Sequence, residues 1–72
     1  MNVQLIPVDS SNLEKVGYDP EAKKLIAGFK GGTLYEYSGV PLTVYGRLLA
    51  AESHGKFLNS EVKGVFDYQK IG

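Results

Sequence analysis

Two sets of residues in this sequence carry the chemistry of recognition. The first is Tyr35 and Tyr37, on either side of Glu36. Rings at a spacing of two fall on one side of an extended strand, because successive side chains alternate faces. Such a pair is either an anchor of the core or an exposed platform on which flat ligands such as bases stack, and both readings stand at this level. The second set lies in the C-terminal third, where Lys56, Lys63, Phe66, Tyr68 and Lys70 interleave cations with rings. That is the chemistry of single-stranded nucleic-acid binding, with cations for phosphates and aromatic faces for unpaired bases. The opposing reading is structural. Five tyrosines and three phenylalanines in 72 residues are largely needed to fill a core, and widely spaced lysines are usually just solvated.

Candidates for catalysis are fewer. Ser53 and His54 are adjacent, but a triad is assembled by geometry and needs an orienting acid. Ser53 reads more simply as a helix cap and His54 as a loop residue. Asp9, Asp19, Glu21, Glu36, Glu52, Glu61 and Asp67 show no metal-ligand spacing, and a single histidine without cysteine cannot build a zinc site. Gly31-Gly32 lacks the other parts of a phosphate-cradling loop and reads as a hairpin turn. The expectation is a protein that is not an enzyme and carries no metal or cofactor.

Composition bounds the rest. A chain of 72 residues makes one domain, residues 1–72, and buries only ~60% of its unfolded surface on folding. Without cysteine there are no disulfide staples, so the core must come from the 43% hydrophobic residues, with self-association as the other source of buried surface. Eight basic residues balance eight acidic ones. The net positive charge of a dedicated nucleic-acid-binding domain is therefore missing, although a local patch is compatible with the total. Met1 to Val8 has no cationic start and is too short for a signal peptide. No apolar run approaches a membrane span. A cytoplasmic location is expected, and the absence of cysteine fits a reducing compartment.

The elements that must position these residues follow from turn chemistry. Leu13–Tyr18 is extended and ends at Asp19-Pro20-Glu21-Ala22, where Pro presets φ and Asp bonds locally. Lys24–Phe29 and Thr33–Ser38 complete an antiparallel meander of three strands. Residues Val3 to Val8 can add a short edge strand, limited by Pro7. Two registers compete at the second turn. A three-residue loop Lys30-Gly31-Gly32, with Gly32 left-handed, pairs Phe29 with Thr33, Ala27 with Tyr35 and Leu25 with Tyr37. A two-residue Gly31-Gly32 turn slips the register by one and sends the tyrosines to the other face. The three-residue loop is preferred, because it gathers Leu25, Ala27, Phe29, Tyr35 and Tyr37 on one side.

Pro41 then opens a helix as its first residue, with an apolar stripe of Leu42, Val44, Tyr45, Leu48, Leu49 and Ala51 facing the sheet. Ser53 caps a second short helix from Gly55 or Lys56 to about Lys63, with Phe57, Leu58 and Val62 inward. The tail Val65–Ile71 alternates apolar and polar residues, so it is extended and can lie against the sheet edge.

The order of short motifs is familiar. Val16-Gly17-Tyr18-Asp19, Tyr35-Glu36-Tyr37, Val40-Pro41, Val44-Tyr45 and Ser53-x-Gly55-x-Phe57-Leu58-Asn59 resemble the KTSC domain over about residues 10–71. That family is named for a domain at the C-terminus of some lysyl-tRNA synthetases and also occurs as free-standing small bacterial proteins. The resemblance implies a small domain of unestablished activity with RNA binding as a suggestion. It aligns the family's central Tyr-x-Tyr with Tyr35 and Tyr37, its basic residue after the Asn region with Lys63, and its aromatic-x-aromatic-x-basic ending with Phe66, Tyr68 and Lys70. Glu61 and Asp67 make this region less cationic here.

Together these readings give an α+β fold. A three-stranded antiparallel meander carries one helix on one face, with a second short helix and an extended C-terminal tail. The expected function is a non-catalytic binding module for RNA that uses Lys56, Lys63, Phe66, Tyr68 and Lys70, with Tyr35 and Tyr37 as core aromatics. The alternative is a protein-interaction or homo-oligomerising module with no nucleic-acid role. Neither reading calls for a membrane.

Overall fold

The computed structural model describes residues 3–72, so the first two residues of the Met1–Val8 stretch lie outside it. Its sheet has five strands, not three: β1 (Ile6–Pro7), β2 (Leu13–Asp19), β3 (Lys24–Phe29), β4 (Leu34–Ser38) and β5 (Tyr68–Lys70). They are ordered as in the chain and every neighbouring pair is antiparallel. The two extra strands are the segments whose pairing the sequence left open. Pro7 has no N–H to give, which holds β1 to two residues at one edge. The alternating tail supplies β5 at the other.

Turn residues set the central register. Asp19 Oδ1 accepts from Glu21 N at 3.0 Å and Ala22 N at 3.3 Å, closing the first turn as its Asp-Pro chemistry requires. At the second, Gly31 and Gly32 have φ of 103° and 95°, and Phe29 N donates to Thr33 O at 2.8 Å. Leu25 therefore opposes Tyr37 and Ala27 opposes Tyr35, the register of the three-residue loop. On β2 the ladder slips between Leu13 and Lys15. That extra residue lets Leu13 and Val16, three apart and thus of opposite parity, both reach the core with no exposed surface.

One face of the sheet carries the main core of Leu13, Val16, Leu25, Ala27 and Tyr37, joined by Val40, Leu48, Leu58 and Val62. The covering layer is helix α1 (Leu42–Ala50), helix α2 (His54–Phe57) and a π-helical turn (Leu58–Val62). Pro41 stands one place before the helix, at its cap, rather than as its first residue. Its ψ of 151° keeps it extended while its carbonyl accepts from Val44 N at 3.0 Å. Only Leu48 of α1 is fully buried, with Val44 and Tyr45 half-buried. Leu42 and Leu49 do not face the sheet; they are 62% and 40% exposed. Seven positions apart, they share a direction well over a quarter turn from Val44 and Leu48, so a stripe containing all four is wider than one contact can cover. Tyr45 stacks on Tyr18 of β2, centroids 5.1 Å apart and planes 13° from parallel, and the Tyr18 hydroxyl donates to Val40 O.

The opposite face is covered in part by the N-terminal segment. A Cβ on Gly17 would come within 2.7 Å of Val3 Cγ1 and Leu5 Cδ2, so these side chains lie directly on the β2 backbone. Among the described residues no helix is long and apolar enough to cross a membrane.

Candidate functional site: an aromatic pocket with a lysine rim

Strand β5 decides what the tail residues can do. Tyr68 opposes Tyr37 and Lys70 opposes Tyr35, and directly paired residues share a face. The tail ring and the tail cation therefore join the two β4 tyrosines on the helix-bearing side of the sheet. Four rings form a connected cluster there. Phe29 meets Tyr35 edge-on at 5.7 Å, Tyr35 meets Tyr68 at 5.8 Å, and Tyr68 is tilted against Tyr37 at 6.1 Å. Together with Lys63, these rings line an open pocket of about 180 Å³.

Lys63 reaches this pocket because of the π turn. Its N–H donates to Leu58 O at 2.8 Å, five residues back, so the turn holds one residue more than an α-helical one. The widened turn seats both Leu58 and Val62 in the core without exposed surface and delivers the chain at Lys63 to the rim. Ser60 Oγ donates to Lys56 O at 3.0 Å, serving a carbonyl at the entry to that turn. The chain then reverses at Gly64, φ 83°, and Lys63 bridges in parallel to Phe66, which is half-buried against the core.

The five tail candidates thus divide. Lys63 and Tyr68 line the pocket, Lys70 stands on the same face, and Phe66 is mainly a packing residue. Lys56 is exposed on α2 and not among the pocket residues. Phe29 is a wall that sequence reasoning placed only in the core; its register opposite Thr33, on the Tyr35 side, was the available signal. Tyr35 is half-buried and Tyr37 is 2% exposed, so both are core aromatics that also face the pocket.

The acids of this region are Glu61 and Asp67, with Glu36 on the far face of β4. Two of the acids are held by other cations: Glu36 by Lys24 at 2.9 Å and Glu61 by Arg47 at 3.4 Å. Arg47 also lies over the Phe57 ring at 5.4 Å, tying α1 to α2. No acid lines the pocket, and among the described residues Lys63 and Lys70 join no ion pair. Burial pushes the Tyr37 hydroxyl above its usual value near 10, and the neighbouring Tyr35 and Tyr68 raise it further. Tyr37 is therefore neutral at physiological pH and can both donate and accept a hydrogen bond.

Ser53 and His54 have structural partners. Ser53 Oγ accepts from Lys56 N at 3.3 Å, the capping bond expected of it. His54 is the first residue of α2 rather than a loop residue. Its Nδ1 lies 2.8 Å from Leu48 O, and since a carbonyl only accepts, the ring donates there.

Comparison with known proteins agrees with this architecture. A KTSC domain protein from Yersinia pestis has a crystal structure that superposes with a TM-score of 0.92 at 38% identity, covering 99% of this chain and 100% of that one. A protein of Tsukamurella paurometabola is 50% identical over 60 residues, 83% of this chain and 90% of the relative. The lysine–tRNA ligase of Nostoc sp. is 34% identical over 67 residues, which span 93% of this chain but only 12% of the ligase. The KTSC domain profile matches residues 9–66, from the β1–β2 loop through the ring that docks the tail. The Tyr-x-Tyr strand and the capped Ser53-x-Gly55 turn lie inside that match, and the chain belongs to the KTSC domain family.

Proposed function

We propose that this protein is a non-catalytic binding module that engages RNA through the helix-bearing face of its β4–β5 edge. The observation that carries the reading is the pairing of β5, which brings Tyr68 and Lys70 to the side of Tyr35 and Tyr37, beside Lys63. Rings supply stacking surface and the lysines supply phosphate contacts, the two components of single-strand binding. Similarity to part of a lysine–tRNA ligase points the same way. The roles of Ser53 and His54 in helix capping and helix contact favour a module without catalysis.

Titration of the protein with single-stranded RNA and transfer RNA at low salt tests this. Binding is expected, weakening as salt rises. Replacing Lys63 and Lys70 by Glu should weaken it and flatten the dependence of log K on log salt by about 0.7 per lost phosphate contact. Absence of binding to both RNAs at low salt would end the reading. Self-association has one observation in its favour, the exposed Leu42 and Leu49 on α1. A strict monomer by light scattering over a wide concentration range counts against it.

A further inference from the structure

The pocket has a feature that general RNA affinity does not require. Tyr37 is 2% exposed, and its hydroxyl bonds to no protein group among the described residues. A buried tyrosine normally finds a partner for its O–H. Among the described residues no side-chain oxygen or nitrogen is sealed from solvent without a partner, so this hydroxyl has some contact with solvent, and Tyr37 is one of the residues that line the pocket. The pocket lining thus combines Tyr37, whose hydroxyl can both donate and accept, the rings of Phe29, Tyr35 and Tyr68, and the cation Lys63. Its volume of about 180 Å³ is below the ~300–1,000 Å³ of ordinary small-molecule clefts. It suits one flat ring and not a larger ligand.

We infer that the pocket takes a single unpaired nucleobase, its edge on the Tyr37 hydroxyl, its face against Tyr68, and its adjoining phosphate on Lys63. This rests on the RNA reading above and narrows it to single-stranded RNA, one base at a time. Duplex RNA cannot present such a base, because its edges are paired and its faces stacked. A hydroxyl that donates and accepts serves any base edge, so sequence preference is weak. Tyr68, 63% exposed on the edge strand, is the ring a base reaches first.

Fluorescence anisotropy with a labelled single-stranded ribo-oligomer, the matching blunt duplex and free AMP and UMP as competitors tests the assignment. The single strand should bind at least about tenfold more tightly than the duplex. Mononucleotides should compete only weakly, since they offer one phosphate and no neighbouring chain. Tyr37→Phe keeps the ring and the core, and should weaken single-strand binding about three- to tenfold while leaving the salt slope unchanged. Tyr68→Ala should cost about tenfold or more. Lys63→Gln should instead reduce the salt slope by about 0.7. Equal affinity for strand and duplex, or wild-type binding by the Tyr37→Phe variant, overturns the base pocket while the RNA reading stands. No binding to either RNA overturns both.

Discussion

Two glycines of the family motifs are each closed off by a neighbour, and the kind of neighbour decides what a methyl group would do. At Gly17 a Cβ meets not only the Val3 and Leu5 side chains but the Gln4 carbonyl oxygen, at 2.8 Å. Backbone cannot rotate aside, so Gly17→Ala must lift the whole Val3–Leu5 segment from the sheet and uncover Ile26, now 4% exposed. The expected cost is about 1–3 kcal/mol, read as a lower denaturant midpoint. At Gly55 the obstacle is the tip of Asn12, with Ser10 Oγ beyond at 3.1 Å. Asn12 can swing out, giving up an exposed 3.2 Å bond from Ser10. Alanine also regains about 0.5–1 kcal/mol of helix propensity. Gly55→Ala should therefore stay within about 1 kcal/mol of wild type. A Gly55 variant that loses more stability than the Gly17 variant would reverse this ranking.

Strand β5 is the element that turns a core motif into a site, and it is the least anchored strand of the sheet's working edge. All three of its residues are exposed. Ser38 N donates to Asp67 O at 2.8 Å and Ile71 N to Leu34 O at 2.9 Å, so the backbone groups of alternate residues, including Gln69, face β4. Gln69→Pro removes one of those donors. It should release the tail while the β2–β3–β4 meander and main core persist. In amide hydrogen exchange, protection should be lost at Ile71 and Ser38 but kept along β3, and RNA affinity should fall with it. Retained protection at Ile71 would show that β5 is held by something other than this ladder. The sequence carried the meander and its register, because Asp19-Pro20 and Gly31-Gly32 write their turns locally. It carried the tail only as an alternating pattern, since β5 joins the sheet through long-range pairing without a turn signal. The π turn left no local trace at all. Leu58 and Val62, four apart, would share a face in an α-helix as well, so their burial does not announce the turn. Its one extra residue shifts where the chain leaves the helix at Lys63, which lines the pocket.

At the scale of the whole molecule, zero net charge hides the tyrosines as the groups that set a pH limit. Burial raises Tyr37 and Tyr45 above the usual value near 10. The folded protein therefore holds these protons more tightly than the unfolded chain. Below pH 10 both states keep them, and the contribution to stability is fully present. As pH climbs past 10 the unfolded chain ionises first, which favours unfolding progressively until the folded tyrosines also titrate. The denaturant midpoint should consequently change little on this account between pH 7 and 9 and fall above about pH 10. Tyr18 is raised as well, by burial and by the charge of Asp19. Tyr37→Phe and Tyr45→Phe together therefore remove two of the three shifted hydroxyls while keeping their rings, the Tyr18 stack included. That double variant should lose less stability between pH 10 and 11 than the wild type does. An identical alkaline slope in the two proteins would mean that other groups govern the transition, and that the Tyr37 hydroxyl is better solvated than its burial implies.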